Sequence, residues 1–328
     1  MPANLTPTYL KAEQWFKTAT TNEEKLLALE KMLQVIPKHK GTEKLQAELK
    51  KKLSHLKDAS SQKKSGGSHA DIFHVPKGGA GQVVLLGMPN TGKSSILAAM
   101  TNAKVNVASF PFSTNEPVPG MVEYEDVKIQ LVDMPPITAE LVAPGQVGTY
   151  RNCDIIAIVI DLSSDVDEQL KVCLDFLETR NFLISDETQA TDENGNALGK
   201  KTFCICTKSD IAKPGALEHL KQICKYPFDF VPIAAEEFEG LEELSRKMFE
   251  LLEIIRIYAK PPGKPADMAD PFTIPIGSNV MDLAMHIHRH KAESLKSARK
   301  WGTGVHDGQQ VQRTHILSDK DIIELHFP

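Results

Sequence analysis

The chain has 328 residues, 41% hydrophobic and 25% charged, which is ordinary for a globular protein with room for more than one domain. No apolar run approaches the ~20 residues that span a bilayer, and the N-terminus lacks an apolar signal core, so we expect a cytoplasmic protein. The five cysteines lack C-x-x-C spacing, which favours structural thiols over disulfides or a zinc site.

Residues 1–60 are predicted to form a basic helical arm, because the first 64 positions hold 13 lysines against 7 acidic residues. Two amphipathic helices form a predicted hairpin whose apolar faces pack on each other or on the following domain. The lysines of the second helix either contact a polyanion such as ribosomal RNA or face solvent. Residues 61–80 are predicted to be a flexible linker. The apolar faces comprise Leu26, Leu29, Leu33 and Ile36, then Leu45, Leu49, Leu53 and Leu56.

A phosphate-binding loop of the pattern G-x-x-x-x-G-K-S follows a predicted strand at Gln82–Leu86 and precedes a predicted helix. The glycines allow successive N–H groups to point at phosphate oxygens, and the helix N-terminus adds partial positive charge. Lys93 is expected to reach the β- and γ-phosphates, and the Ser94 hydroxyl to bind Mg²⁺. The candidate contact residues of this loop are Gly87, Pro89, Asn90, Thr91, Gly92, Lys93, Ser94 and Ser95.

Two further candidates for Mg²⁺ follow in the chain. Thr114 lies in a Pro-rich loop and is the best candidate to contact both the ion and the γ-phosphate, although Ser113 is its neighbour. The predicted strand Val127–Val132 runs into Asp133, and a carboxylate at such a strand end typically holds Mg²⁺ through water. A plain turn aspartate before two prolines is the alternative interpretation of Asp133.

A base-recognition tetrad is predicted where the apolar strand Thr202–Cys206 ends. Asp210 can accept two hydrogen bonds from guanine, a pair that adenine cannot offer, and Lys208 can lie along the base. Further along, a third strand ends near Ala234 and Ala235, where a backbone N–H can meet guanine O6. The candidate base contacts are therefore Thr207, Lys208, Asp210, Ala234 and Ala235.

These motifs and their order resemble the Obg/DRG group (developmentally regulated GTP-binding proteins), from roughly Lys38 to the C-terminus. The resemblance also rests on the runs Phe110–Thr114, Ile255–Lys260, Trp301–Thr303 and His315–Ile323. It implies an α/β fold: a P-loop GTPase domain with a mostly parallel sheet at 81–258, behind the helical hairpin. A small α+β, ubiquitin-like TGS domain at 259–328 would follow, associated with RNA or regulatory ligands.

The resemblance implies hydrolysis of Mg²⁺-GTP to GDP and phosphate, with Lys93, Thr114 and Asp133 as the catalytic set. It also implies a ribosome- or RNA-associated switch, for which a protein activator or an ion is a candidate source of help in hydrolysis. No side chain is an obvious general base, which suits a reaction run by positioning and electrostatics. In related GTPases an asparagine at the position of Asn90 helps to hold K⁺, so Asn90 is a candidate potassium ligand, although Asn also favours turns.

The segment that follows Asp133, at the position of the second switch of related GTPases, departs from the family pattern. Pro136 replaces a glycine whose N–H bonds the γ-phosphate in related proteins, and proline has no N–H. Ile137 occupies the position of a water-orienting glutamine. Slow hydrolysis is one expectation, and a guanine-nucleotide-binding scaffold with little or no turnover is the other.

Two regions limit what the resemblance can transfer. DRG proteins carry a long inserted domain before the base tetrad, but here Leu162–Lys201 offers room for one helix, Asp165–Arg180, and a polar loop.

The C-terminal module contains 9 basic and 8 acidic residues, and this near-zero balance argues against strong non-specific RNA binding. The basic candidates for a nucleic-acid or nucleotide surface there are Arg289, Lys291, Lys296, Arg299 and Lys300.

Overall fold

The computed structural model describes residues 73–101, 116–138, 142, 145–183 and 199–328, together with residues 9, 28–29, 31–33, 35–36, 49 and 51–52. The chain divides into two compact units, Met1–Asp71 and Ile72–Pro328. Thr114, most of the predicted helical hairpin, the first part of the predicted linker and the polar loop at 184–198 lie outside the described residues.

The first unit contains a small apolar cluster. Leu29, Ile36 and Leu49 come from both predicted helical faces and are buried in this cluster. Tyr9 and Met32 complete its buried part. Residues from both predicted apolar faces meet in this cluster. At least these side chains therefore pack against one another within the unit, which is one of the two arrangements expected from the sequence.

The second unit begins with a six-stranded sheet in the order β2-β3-β1-β4-β5-β6. Strands β2 and β3 are antiparallel, whereas every other neighbouring pair is parallel, so the predicted mostly parallel sheet is confirmed. Each strand of the central pair is buried along its whole length, because helices cover both faces. The strands are β1 Gln82–Leu86, β2 Val118–Tyr124, β3 Val127–Asp133, β4 Ile155–Asp161, β5 Lys201–Thr207 and β6 Phe230–Pro232.

Helices connect these strands and separate two apolar cores. One core packs α3 against the inner side chains of β4, and the other packs α1 and α5 on the opposite face. Asp165 caps the start of α3 by accepting from Asp167 N and Glu168 N, so the predicted helix of this region is confirmed. The helices are α1 Lys93–Met100, α2 Gln146–Asn152, α3 Val166–Thr179, α4 Ala216–Ile223 and α5 Leu241–Leu252.

A second, five-stranded sheet follows in the order β10-β9-β11-β7-β8, with helix α6, Val280–Ile287, packed on one face. A capping box between Asn279 and Asp282 fixes the start of α6. Strand β7 belongs to this sheet, so the sheet begins before the predicted boundary at residues 258 and 259. The strands are β7 Ile254–Ala259, β8 Phe272–Pro275, β9 Ser297–Trp301, β10 Gln309–Val311 and β11 Asp321–His326.

The last part of the predicted linker is packed rather than flexible. Gly79 pairs with Ile129 of β3, and Gly78 N donates to the Gln130 side chain at 3.2 Å. Phe73 packs against the core, and its carbonyl accepts from Thr149 Oγ1. Residues 73–80 therefore belong to the part built around the six-stranded sheet, because backbone polar groups and an aromatic ring find partners there.

Lys300 corrects one sequence expectation. It is 1% exposed and its ammonium pairs with Asp321 at 2.7 Å, so it supports the second sheet from within and cannot line a nucleic-acid surface. The preceding Arg299 is exposed, because alternate residues of β9 face opposite sides of the sheet. Among the described residues, no helix has the length and apolar character that crossing a bilayer requires.

Candidate functional site

The phosphate-binding loop joins the C-terminal end of β1 to the start of α1. Asn90 and Gly92 take left-handed backbone conformations, with φ of 63° and 89°, which curl the loop. A Cβ on Gly87 would meet Val159 O at 2.8 Å, so glycine is required for the close approach of loop and strand. Pro89 is half-buried, and Ser95 lies in the first turn of α1.

Lys93 lies across this loop. Its ammonium donates to Gly87 O at 3.1 Å and to Met88 O at 2.8 Å. The side chain is 7% exposed, and burial lowers the pKa of Lys93 to about 8, although the Asp133 carboxylate opposes that shift. A phosphate placed in the loop would meet this cation and the N–H groups at the start of α1.

Two of the predicted Mg²⁺ ligands meet beside Lys93. Ser94 Oγ donates to Asp133 Oδ2 at 2.6 Å, and Asp133 is fully buried at the end of β3. The parallel pairing of β1 and β3 aligns Leu85 with Asp133, which brings the carboxylate to the loop. A hydroxyl and a carboxylate are oxygen donors of the type that Mg²⁺ prefers, so this pair fits the ion. Thr114 lies outside the described residues.

The base tetrad is tied to the phosphate loop through Thr207. Its hydroxyl donates to Thr91 O at 2.7 Å and approaches Ile160 O at 3.2 Å. Lys208 follows in a left-handed conformation, with φ of 55°, and Asp210 is exposed in a short 3₁₀ turn, Ser209–Ile211. The structure therefore brings the predicted base residues and the predicted phosphate residues to one edge of the sheet, as parallel strand ends require.

Ala234 and Ala235 complete this edge beyond β6. Ala234 exchanges two backbone hydrogen bonds with Glu239, each 3.1 Å long, and is buried. Ser209 N donates to Ile233 O at 3.1 Å, which attaches this segment to the tetrad. Within the described part of the chain, the Ala235 N–H has no hydrogen-bond partner, so it remains available to an acceptor such as guanine O6.

The second switch is held from both ends. Ile137 N donates to Gly87 O at 3.1 Å, and the Ile137 side chain is buried in the apolar core. Gln146, a buried residue of α2, donates its side-chain amide to Pro135 O. Since Pro135 and Pro136 have no N–H and Ile137 has used its own, none of these three residues offers a backbone donor to a γ-phosphate.

Sequence reasoning missed two residues of this edge. Asp161 ends β4 and pairs with the Lys208 ammonium at 2.5 Å, and Gln146 holds the second switch. A carboxylate at the end of a continuous apolar strand, Ile155–Ile160, was the available signal for Asp161. Gln146 carries no comparable sequence signal.

Comparisons with known proteins agree with this arrangement. Residues 82–186 match the family described as 50S ribosome-binding GTPase, and residues 255–326 match the TGS domain. The solved structure of the YchF GTPase of Schizosaccharomyces pombe superposes with a TM-score of 0.51 at 13% identity, over 77% of this chain and 99% of that one. That likeness concerns the fold alone.

Full-length relatives are similar along most of the chain. A GTP-binding protein of Methanocaldococcus jannaschii is 27% identical, with 92% of each chain covered. The developmentally-regulated GTP-binding protein 1 of Xenopus laevis is 27% identical over 79% of this chain and 86% of its own. The ribosome-interacting GTPase 1 of Saccharomyces cerevisiae is 26% identical over 93% of this chain and 99% of its own.

The fold and the loop define the class: a P-loop GTPase domain followed by a TGS domain. The relatives agree with this class, because the chain is similar over most of its length to GTP-binding proteins of the DRG group. The expectation of an Obg/DRG-type protein, including its α/β fold and TGS module, is thereby confirmed.

Proposed function

We propose that this protein hydrolyses Mg²⁺-GTP slowly to GDP and phosphate and serves as a ribosome- or RNA-associated switch. The observation that carries the proposal is the hydrogen bond of Thr207 Oγ1 to Thr91 O at 2.7 Å. It joins the base tetrad to the phosphate loop, so one nucleotide can occupy both.

The proposed roles follow the geometry. Lys93 stabilises negative charge on the β- and γ-phosphates, and Asp210 accepts from the guanine edge. Ser94 and Asp133 would hold Mg²⁺, with Thr114 as the proposed third ligand, and the ion when bound supplies electrostatic stabilisation of the phosphates. Water attacks the γ-phosphorus in line with the departing GDP oxygen, and positioning rather than a general base drives the step.

Potassium is proposed as a further ion because of Asn90. Among the described residues its side-chain amide makes no hydrogen bond, while its backbone carbonyl lies 3.4 Å from the Lys208 ammonium. The second switch offers no backbone donor that could stabilise the charge developing on the γ-phosphate. A cation held by Asn90 between the phosphates would neutralise this charge instead.

The ribosomal part of the proposal draws on the name of the yeast relative, a ribosome-interacting GTPase. A ribosomal partner would imply a cytoplasmic location, and two surfaces support an RNA partner. Lys51 and Lys52 of the basic arm are exposed. The TGS part has a cleft of about 590 Å³ lined by Lys296, Arg313, Ser297, Gln310, Val311, Gln312 and Thr314, with no acidic side chain.

Multiple-turnover hydrolysis in KCl and in NaCl, beside GTP and GDP titrations, tests the proposal. We expect guanine-nucleotide binding and a slow rate that potassium raises. Asp210→Asn should lower GTP affinity roughly a hundredfold, since a site that has lost a base partner leaves polar groups unmatched. Asp175→Asn, an exposed change on α3, is the matched control.

A nucleotide-binding scaffold is the second candidate. The hydrogen bonds that hold Pro135 and Ile137 of the second switch favour it. Tight binding of both nucleotides with no turnover in either salt would replace the switch by the scaffold. Absence of guanine-nucleotide affinity would overturn both functions. Equal rates in the two salts would overturn the potassium role alone.

A further inference from the structure

The Lys208 side chain must be held in place if its stem is to lie along a guanine base. This side chain is 38% exposed, and the backbone of Lys208 is left-handed. The ammonium meets two oxygens, Asp161 Oδ2 at 2.5 Å and Asn90 O at 3.4 Å. Only the contact to Asp161 has the length of a strong charge-assisted hydrogen bond.

Asp161 is built into the fold rather than displayed on the surface. Its side chain is 7% exposed, and the strand register places Asp161 directly beside Thr207, the residue before Lys208. The carboxylate Oδ1 accepts from Ser163 N at 2.8 Å and from Ser163 Oγ at 2.6 Å. These bonds leave Oδ2 directed at the lysine.

Gln169 braces the backbone that carries this carboxylate. Its amide accepts from Asp161 N at 2.8 Å and donates to Asp161 O at 3.1 Å. The same amide reaches Ser164 Oγ at 2.8 Å, and the whole side chain is buried. The turn between β4 and α3 is therefore fixed on both sides of Asp161, and the anchor for Lys208 is rigid.

We propose that Asp161 is a positioning residue for guanine recognition: it fixes the Lys208 ammonium so that the aliphatic stem lies preorganised along the base. This inference rests on the proposed guanine-nucleotide site. Because a free lysine chain has large rotamer freedom, the anchor removes entropy before the base arrives. Asp161 itself contacts Lys208, not the base or the phosphates, so its effect should be independent of the phosphate number.

Asp161→Asn tests this role, because the amide retains an oxygen for Ser163 but loses the charge that holds Lys208. Affinities for GMP, GDP and GTP should each fall about tenfold, with their ratios unchanged, since a charge-assisted bond is lost and no phosphate contact is. Asp167→Asn is the matched control, because Asp167 lies exposed at the start of α3 and pairs with His219. Its affinities should equal those of the wild type.

Lys208→Met tests whether Asp161 acts through the Lys208 ammonium or by stabilising the local structure. Methionine keeps most of the stem and lacks the ammonium. In the Lys208→Met background, Asp161→Asn should change GDP affinity less than about twofold, because the two residues act through one contact. A full tenfold loss in that background would show a structural effect and overturn the proposal. Should Asp161→Asn fail to fold, Lys208→Met alone must reproduce the tenfold loss, and wild-type affinity would overturn the proposal.

The wild-type titration distinguishes the two levels of failure. If the wild type binds no guanine nucleotide, the proposed function and the role of Asp161 both fail. If the wild type binds, and the effects of Asp161→Asn and Lys208→Met on GDP affinity are additive, only the role of Asp161 fails.

Discussion

At the scale of single residues, the charge of Lys93 depends strongly on its surroundings. Its ammonium is buried against two backbone carbonyls, and desolvation lowers its pKa to about 8 despite the nearby Asp133 carboxylate. A bound phosphate adds opposite charge and would raise this pKa. Phosphate binding above pH 8 is therefore linked to the uptake of a proton by Lys93.

GDP affinity should fall about fourfold between pH 7 and pH 8.5, because neutral Lys93 predominates above its pKa and must be protonated to bind phosphate. Titration calorimetry in buffers of different ionisation enthalpy should show almost no proton uptake at pH 7 and about 0.8 proton at pH 8.5. Guanosine, which has no phosphate, is the control and should show no uptake from Lys93. Equal uptake at the two pH values would contradict the prediction.

At the scale of elements, the second switch behaves as part of the core. The Ile137 N–H bonds Gly87 O and the Pro135 carbonyl bonds Gln146, so both neighbours of Pro136 are attached to fixed elements. A ligand that interacts equally with two states of a segment shifts neither state. Because these attachments are made to groups of the protein and not to a γ-phosphate, we expect this element to discriminate weakly between GTP and GDP.

Pro136→Gly should raise the ratio of GTP to GDP affinity by about fivefold or speed hydrolysis, because glycine restores an N–H donor and backbone freedom. Equilibrium titrations and single-turnover hydrolysis measure the two effects. Pro214→Gly, in an exposed turn before α4, controls for the general cost of replacing proline by glycine. An unchanged ratio together with an unchanged rate would show that Pro136 does not limit this switch.

Elements whose signals are local were predictable from the sequence. Strand β1 was predicted with its observed bounds, and β3 and β5 within one residue at each end, because apolar runs stop there at a loop glycine or a polar residue. The contact of Asp161 with Lys208 was not predictable, since it depends on β4 and β5 becoming neighbours. Residues 73–80 look like a linker by composition, and only the position of β3 shows that they have partners.

At the scale of the whole second unit, Arg256 connects the two sheets. Its guanidinium donates to Asp319 Oδ2 at 2.6 Å and to Asp126 Oδ1 at 3.1 Å, and it also contacts Glu125. Glu125 and Asp126 form the turn between β2 and β3, and β3 ends at Asp133. Burial opposes ionisation of Asp319, but bonds from Arg256 outweigh it and hold the pKa of Asp319 below its usual range.

Arg256→Met should destabilise this unit by about 3 kcal/mol, because it leaves partly buried carboxylates without their cation while methionine keeps most of the apolar contact. The expected fall in melting temperature is about 6–12 °C. Calorimetry should also show a less cooperative unfolding transition, since Arg256 is lost from the link between the sheets, while the contacts of Lys320 with Glu125 and of Tyr258 with Asp126 remain at that turn. Arg246→Met is the matched control: this exposed arginine pairs with Glu243 and Glu250 within one helix, and its loss should cost less than about 1 kcal/mol. Equal melting temperatures for the two variants would mean that Arg256 does not hold the sheets together.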